Sequence, residues 1–214
     1  MVARYGDPLP ILLVASGVIV ALAVRKEVAV AGRFVLYFII AMAIGTATKF
    51  AYYDWGIRFG IASFHGVSGH VLRSFATYPT LGFVVTSGSS RTRQLAGMAL
   101  GAMVALVVMA DIVFFGFHTP VEAVSGALLG LVVPTLIARH DRLAAFSSTL
   151  QFLFVAAVLL SCACAAYSPR AELNFENTIA RRLQEWLPGN RASICATRPR
   201  GVACDHAGES EGGG

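Results

Sequence analysis

The sequence predicts an all-α fold: a polytopic membrane bundle of about six transmembrane helices. Three observations lead there. The chain of 214 residues is 56% hydrophobic and only 14% charged, where a soluble domain carries roughly a quarter charged residues. Its mean hydropathy is +0.67. Its apolar residues gather in long runs without strand-like alternation, and in lipid only helices or closed barrels satisfy their backbone.

The runs cover residues 9–24, 34–47, 67–86, 94–115, 120–138 and 143–167. Crossing a bilayer takes about 20 mostly apolar residues, so the second is short unless it continues through Lys49 to Tyr53. The first has no convincing small-residue cleavage site and reads as a retained helix. Residues 1–168 form the transmembrane domain. From 169 onward the character changes. Ile179, Leu183, Trp186 and Leu187 share one helical face, with Arg181, Arg182 and Glu185 opposite. Such an amphipathic helix suits either the membrane surface or the top of the bundle. Beyond Pro188 the Gly-, Arg- and Ser-rich end is expected to be disordered.

Basic residues set the orientation, because short loops rich in Lys and Arg remain in the cytoplasm. Arg25, Lys26, Arg33, Arg91, Arg93, Arg139 and Arg142 flank alternate loops, seven against Lys49, Arg58 and Arg73 on the other set. Both termini then face the extracytoplasmic side of a plasma or inner membrane. The net charge of +5 is absorbed by this asymmetry and the tail, and no nucleic-acid partner is needed. On the oxidising side a disulfide is allowed. Cys195 with Cys204 is the expected pair, and Cys162 or Cys164 are alternative partners.

The outer loops also collect the ionisable residues that topology does not explain. Lys49, Asp54, Arg58, His65, His70 and Arg73 lie between or beside the second and third runs, and Asp111, His118 and Glu122 between the fourth and fifth. Such groups at membrane depth are costly and point to function. In "VSGHVL", Ser68 reads as the cap of a helix with Gly69 and His70 in its first turn, a place suited to a phosphate. In "HTPVEAVSGALLG", Thr119, Pro120 and Glu122 form a capping box. His118 stands four residues before Glu122, so that carboxylate can also fix its tautomer. His65 reads as an ordinary polar loop residue ahead of a third group of the site, and Arg73 as either a phosphate ligand or a snorkelling helix-end side chain.

These two stretches resemble the type 2 phosphatidic acid phosphatase family of membrane lipid phosphatases. The resemblance covers roughly residues 49–130. Its most specific part is the frame of His118, Glu122 and Gly126, joined by the "SGH" of Ser68, Gly69 and His70. It implies a metal-independent, cofactor-free hydrolase acting on a membrane lipid phosphate or pyrophosphate. His118 would be the nucleophile that becomes phosphohistidine, Glu122 its orienting carboxylate and His70 the general acid. Ser68, Gly69 and Lys49 would hold phosphate oxygens. The sequence departs from the family pattern at three places. Val67 stands where the family has Pro, Gly56 where the first motif has Arg, and Asp111-Ile112 where the third has Ser-Arg. Arg58, and after it Arg73, would have to replace the missing clamp, and Arg at position 112 should leave activity unchanged or raise it. The alternative is a catalytically degenerate relative that binds lipid phosphate or a partner without turnover. A proton-coupled transporter is a further rival, disfavoured by the placement of the His and acidic residues at the outer helix ends, and a haem-binding cytochrome with His70 and His118 as ligands is a weaker one.

Overall fold

A computed structural model describes residues 5, 7–53, 55–57, 64–140, 143, 155–156, 160 and 163. Contacts divide the chain into a unit of Met1–Leu173 and a second of Asn174–Gly214, and every described residue belongs to the first. Among the described residues there are five helices and no strand: α1 (Pro8–Val24), α2 (Val28–Tyr53), α3 (Gly69–Val85), α4 (Arg91–Phe114) and α5 (Pro120–His140). The sixth apolar run, apart from scattered residues, lies outside the described residues. So do Asp54, Arg58, the amphipathic segment of the tail and all four cysteines.

Three of these helices, α2, α4 and α5, are long and apolar enough to cross a membrane, and α1 is a shorter apolar helix. They mark the chain as a membrane protein. The second helix runs from Val28 to Tyr53: it continues through Lys49 to Tyr53, the extension that a span of this run requires, and it begins before residue 34. Arg33 and Lys49 near its ends do not interrupt backbone hydrogen bonding, and such side chains can stretch toward water.

α3 touches every other described helix, and most of its residues are buried. Two apolar clusters flank it. One joins Leu72, Ala76 and Phe83 to Leu22, Phe34 and Ile137. The other joins Val71, Phe75 and Tyr78 to Ile11, Val14, Val108 and Ile112. Ser68, Arg73, Ser74, Thr77, Thr80 and Glu122 are buried as well, while Ile39, Leu100, Met103 and Leu128 are exposed. Polar groups inside and aliphatic groups outside are the arrangement that lipid selects. The burial of Arg73 goes against the snorkelling side chain, one of the two readings of this residue, because its helix packs against every other described helix.

Helix ends are set by specific backbone bonds. α1 closes with Glu27 N–H donating to Leu22 O (2.9 Å) and Lys26 N–H to Ala23 O (2.9 Å), while Lys26 takes φ of 61°. α4 closes the same way, with Phe117 N–H on Ile112 O and Gly116 N–H on Val113 O (both 3.1 Å), and Gly116 at φ of 73°. Both are Schellman turns, in which the residue after the cap adopts the left-handed conformation. At one end of the bundle the guanidinium of Arg25 donates to Val84 O at the end of α3 (3.5 Å). The α1–α2 turn and the α3 C-terminus therefore share that end, and the N-termini of α1, α3 and α5 meet at the other.

Candidate functional site

The three N-termini are tied to one another by side chains and backbone. Asp7 is the N-cap of α1 but makes no side-chain cap bond. Its Oδ1 instead meets His70 Nε2 at 3.0 Å, in the first turn of α3. The backbone of Ser68, the N-cap of α3, donates to Glu122 O in α5 (3.1 Å). Tyr78 O–H, two turns along α3, donates to Tyr5 O (2.8 Å) and fixes the chain just before α1.

Gly66 lets the loop before α3 pass close to α2. It adopts φ of 131°, and a Cβ there would lie 2.7 Å from Lys49 Cγ and 3.1 Å from Lys49 Cα. The next residue, Val67, donates its N–H to Thr48 Oγ1 (3.0 Å), whose own hydroxyl donates to Gly45 O (2.7 Å). On the opposite side Gly126 lets α5 approach, since a Cβ there would lie 2.7 Å from Ser68 O. That carbonyl accepts the first intrahelical bond of α3, from Leu72 N–H (3.0 Å).

Glu122 lies at the centre and is only 5% exposed. Its capping box with Thr119 is formed: Thr119 N–H donates to Oε2 (3.2 Å), and Glu122 N–H donates to Thr119 Oγ1 (3.4 Å). The same Oε2 meets His118 Nδ1 at 2.9 Å. Oε1 accepts from His65 N–H (2.9 Å) and meets His65 Nδ1 at 2.9 Å. An ionised carboxylate only accepts, so each imidazole carries its proton on Nδ1 and turns Nε2 outward. Among the described residues, no hydrogen bond engages His118 Nε2. The His118 and His70 ring centroids are 6.2 Å apart, and Tyr52 sets its ring edge-on to His65 at 4.9 Å.

Burial holds the His118 imidazole below the ordinary histidine value, because the charged form loses hydration. The Glu122 hydrogen bond opposes this shift, while the charges of Lys49 and His70 reinforce it. Lys49 therefore lies near enough to act on His118. Ser68 has no exposed surface. It stands at the cap position, but its hydroxyl makes no cap bond, contrary to the expectation from sequence. Its Oγ has no hydrogen-bond partner among the described residues. An orphaned buried hydroxyl is a rare thing to leave unexplained.

The structure thus brings Lys49, Ser68, Gly69, His70, His118 and Glu122 to one end of the bundle. Arg73 is buried one turn further along α3, and Arg58 lies outside the described residues. The place of Ile112 bears on the expectation for an arginine at that position. It is 2% exposed within the apolar cluster of Val71, Phe75, Val108 and Ala123. An arginine there would bury a charge among aliphatic side chains rather than enter the site. Asp7 was not legible as a site residue, and for His65 a third group of the site was the lesser of two readings. Asp7 lies 63 residues before its partner, and His65 is separated by 57 residues from Glu122, so no local spacing signals either pair.

Comparison with known proteins adds one relative. A Klebsiella pneumoniae protein described as "Uncharacterized 22.5 kDa protein in cps region" is 28% identical over 131 residues, which is 61% of this chain and 63% of that protein. The match spans less than two thirds of the relative's length. No family model matches the sequence, and no solved structure matches it.

Proposed function

We propose that this chain is an integral membrane phosphatase that hydrolyses a lipid phosphate or pyrophosphate at the outer face of a plasma or inner membrane, through a phosphohistidine intermediate. The observation that carries the reading is the His118–Glu122 pair, 2.9 Å apart, with Nε2 of His118 unengaged among the described residues and a second histidine 6.2 Å away between ring centroids. The surroundings suit an anion. Three helix N-termini converge with their positive dipole ends, Lys49 adds charge, and the buried Ser68 hydroxyl supplies an uncommitted donor.

The chemistry follows from these positions. The Nε2 lone pair of His118 attacks phosphorus, and the N–P bond forms as the P–O bond to the lipid alcohol breaks. Asp7 keeps Nε2 of His70 as a donor, so Nδ1 is the nitrogen that delivers a proton to the leaving oxygen. Water then attacks the phosphohistidine, the N–P bond breaks, and the proton lost by water returns to His70. The net reaction converts phosphomonoester and water to alcohol and inorganic phosphate. Phosphoryl transfer depends chiefly on such placement and on cationic stabilisation of the oxygens. The reading also assigns phosphate contacts to the Gly69 amide and to Arg58 or Arg73.

One observation favours the second reading, a relative that binds without turnover. Ile112 is sealed in the core at the position where the family carries Arg, so the usual clamp has no place to stand. Phosphate release from a panel of lipid phosphates and prenyl pyrophosphates separates the two. Turnover that disappears in His118→Ala, together with an acid-labile phosphoenzyme in the wild type, is the expected result. Tight lipid-phosphate binding with no release from any substrate establishes the non-catalytic reading instead.

A further inference from the structure

We propose that His65 is a positioning residue for phosphoryl transfer: by holding Oε1 of Glu122 it locks the carboxylate whose Oε2 holds His118. This rests on the phosphohistidine reading above. His65 does not act on substrate, and its effect passes through Glu122.

The geometry of the carboxylate carries the inference. Each oxygen receives one ring nitrogen and one backbone N–H. Oε1 takes both from His65, and Oε2 takes them from His118 and Thr119. The two oxygens are thus held by different segments, so neither can move without loss on the other. Glu122 reaches the site on a side chain with three rotatable bonds. Where a shorter aspartate would be stiff, the glutamate needs an external hold, and the His65 ring supplies it.

Anchoring the loop does not account for the ring contact. The loop before α3 is already fixed by His65 N–H on Glu122, by Val67 N–H on Thr48 and by Ser68 N–H on Glu122 O. The imidazole is itself 45% exposed and adds little to the core. It is nevertheless oriented, with the Tyr52 ring packed perpendicular to it at 4.9 Å between centroids, and Nδ1 meets the carboxylate. What the ring adds is a second donor on Oε1, which stops the carboxylate from rotating about its last bond and taking His118 with it.

The test uses His65→Ala, His65→Asn and His65→Gln in the full-length, detergent-solubilised protein. An asparagine amide occupies nearly the place of Nδ1, whereas a glutamine amide reaches to the place of Nε2. His65→Ala should lower kcat for phosphate release by about tenfold or more with KM unchanged, since small misplacements of reacting groups cost up to about a hundredfold. His65→Asn should recover most of that loss and His65→Gln should not. A second readout does not depend on turnover. In protein labelled with 15N-histidine, the hydrogen-bonded ring N–H of His118 should keep its resonance in His65→Asn and shift or broaden in His65→Ala. The proposal is overturned if His65→Ala leaves both kcat and the His118 resonance unchanged, or if asparagine and glutamine behave alike. Should His118→Ala prove as active as wild type, the phosphohistidine reading fails on its own, while the resonance still reports whether His65 holds Glu122. If His65→Ala is too unstable to purify, the asparagine–glutamine comparison alone decides.

Discussion

Glu122 has two tasks on one carboxylate: it completes the capping box that starts α5, and it fixes the tautomers of His65 and His118. Glu122→Gln disturbs the site while a capping-box residue is kept, because the amide retains one acceptor oxygen and sets an N–H donor against the ring and backbone donors at the other. Phosphate release should fall by about a hundredfold or more, within the range of a lost acid–base partner, while the protein still folds. Measured release within a few-fold of wild type would remove Glu122 from the mechanism. Asp7 makes a similar claim for His70. Asp7→Asn should slow phosphohistidine formation by more than about tenfold, part of the ~100- to 10,000-fold that a general acid contributes, and the loss should be larger for substrates with poor leaving groups. Rapid-quench measurement of the phosphoenzyme tests this, and equal losses for good and poor leaving groups would speak against the acid role. The environment of His118 also fixes a pH dependence. Burial lowers its proton affinity below the ordinary value of 6.5, so the folded protein binds this proton less readily than the unfolded chain does. The neutral nucleophile, and the stability associated with it, are complete above 6.5 and are lost as pH falls through the lower folded-state value. The acid limb of kcat/KM should therefore lie below pH 6.5, and a limb above it would contradict the burial argument.

At the scale of elements, the legible parts of the sequence were those whose cause is local. The capping box of Thr119 and Glu122 spans three residues, the apolar character of α4 and α5 spans a helix, and both were readable. The end of α1 was readable too, since the apolar run and the helix both stop at Val24, but the form of its closing turn was not. A Schellman turn generally places glycine in the left-handed position, but in this chain Lys26 takes it at φ of 61°. Lys26→Gly should raise the midpoint of thermal unfolding, since the left-handed conformation costs an ordinary residue roughly 1 kcal/mol or more; an unchanged or lower midpoint would mean that the Lys26 side chain offsets that cost. Long-range pairings were illegible for the same physical reason. The Asp7–His70 contact depends on three helix N-termini arriving at one place, and only the packing of α1, α3 and α5 brings them there. Gly126 shows the converse. It was visible as part of a motif, yet its reason emerges only from the 2.7 Å approach of its missing Cβ to Ser68 O. Gly126→Val should wedge α5 away from the start of α3 and destabilise the fold by about 1–3 kcal/mol, measured as a loss of thermal midpoint in detergent. A neutral result would show that the two helices can slide apart without cost.

For the whole molecule, the positive-inside asymmetry and the position of the site make one prediction about sidedness. Phe117 lies beside the site and Ser90 at the opposite end, and both are exposed. In a background with Cys162, Cys164, Cys195 and Cys204 changed to Ser, Phe117→Cys should react with a membrane-impermeant maleimide on intact cells. Ser90→Cys should react only after permeabilisation, and the reverse pattern would put the site in the cytoplasm. The place of α3 has a consequence for biogenesis. This segment carries His70, Arg73, Ser74, Thr77 and Thr80, all of which would meet acyl chains if it left the translocon alone. Its neighbours are what shield those groups, and α3 is not among the helices long and apolar enough to cross a membrane, so we expect it to insert poorly by itself and to enter together with α2 or after α4 and α5 emerge. Glycosylation mapping in microsomes should find α3 inefficiently integrated as a single span and integrated when α2 through α5 are translated with it. The site at the mouth of the bundle would then depend on an order of synthesis: the helix that presents His70 would enter the membrane only once the helices that surround it have arrived.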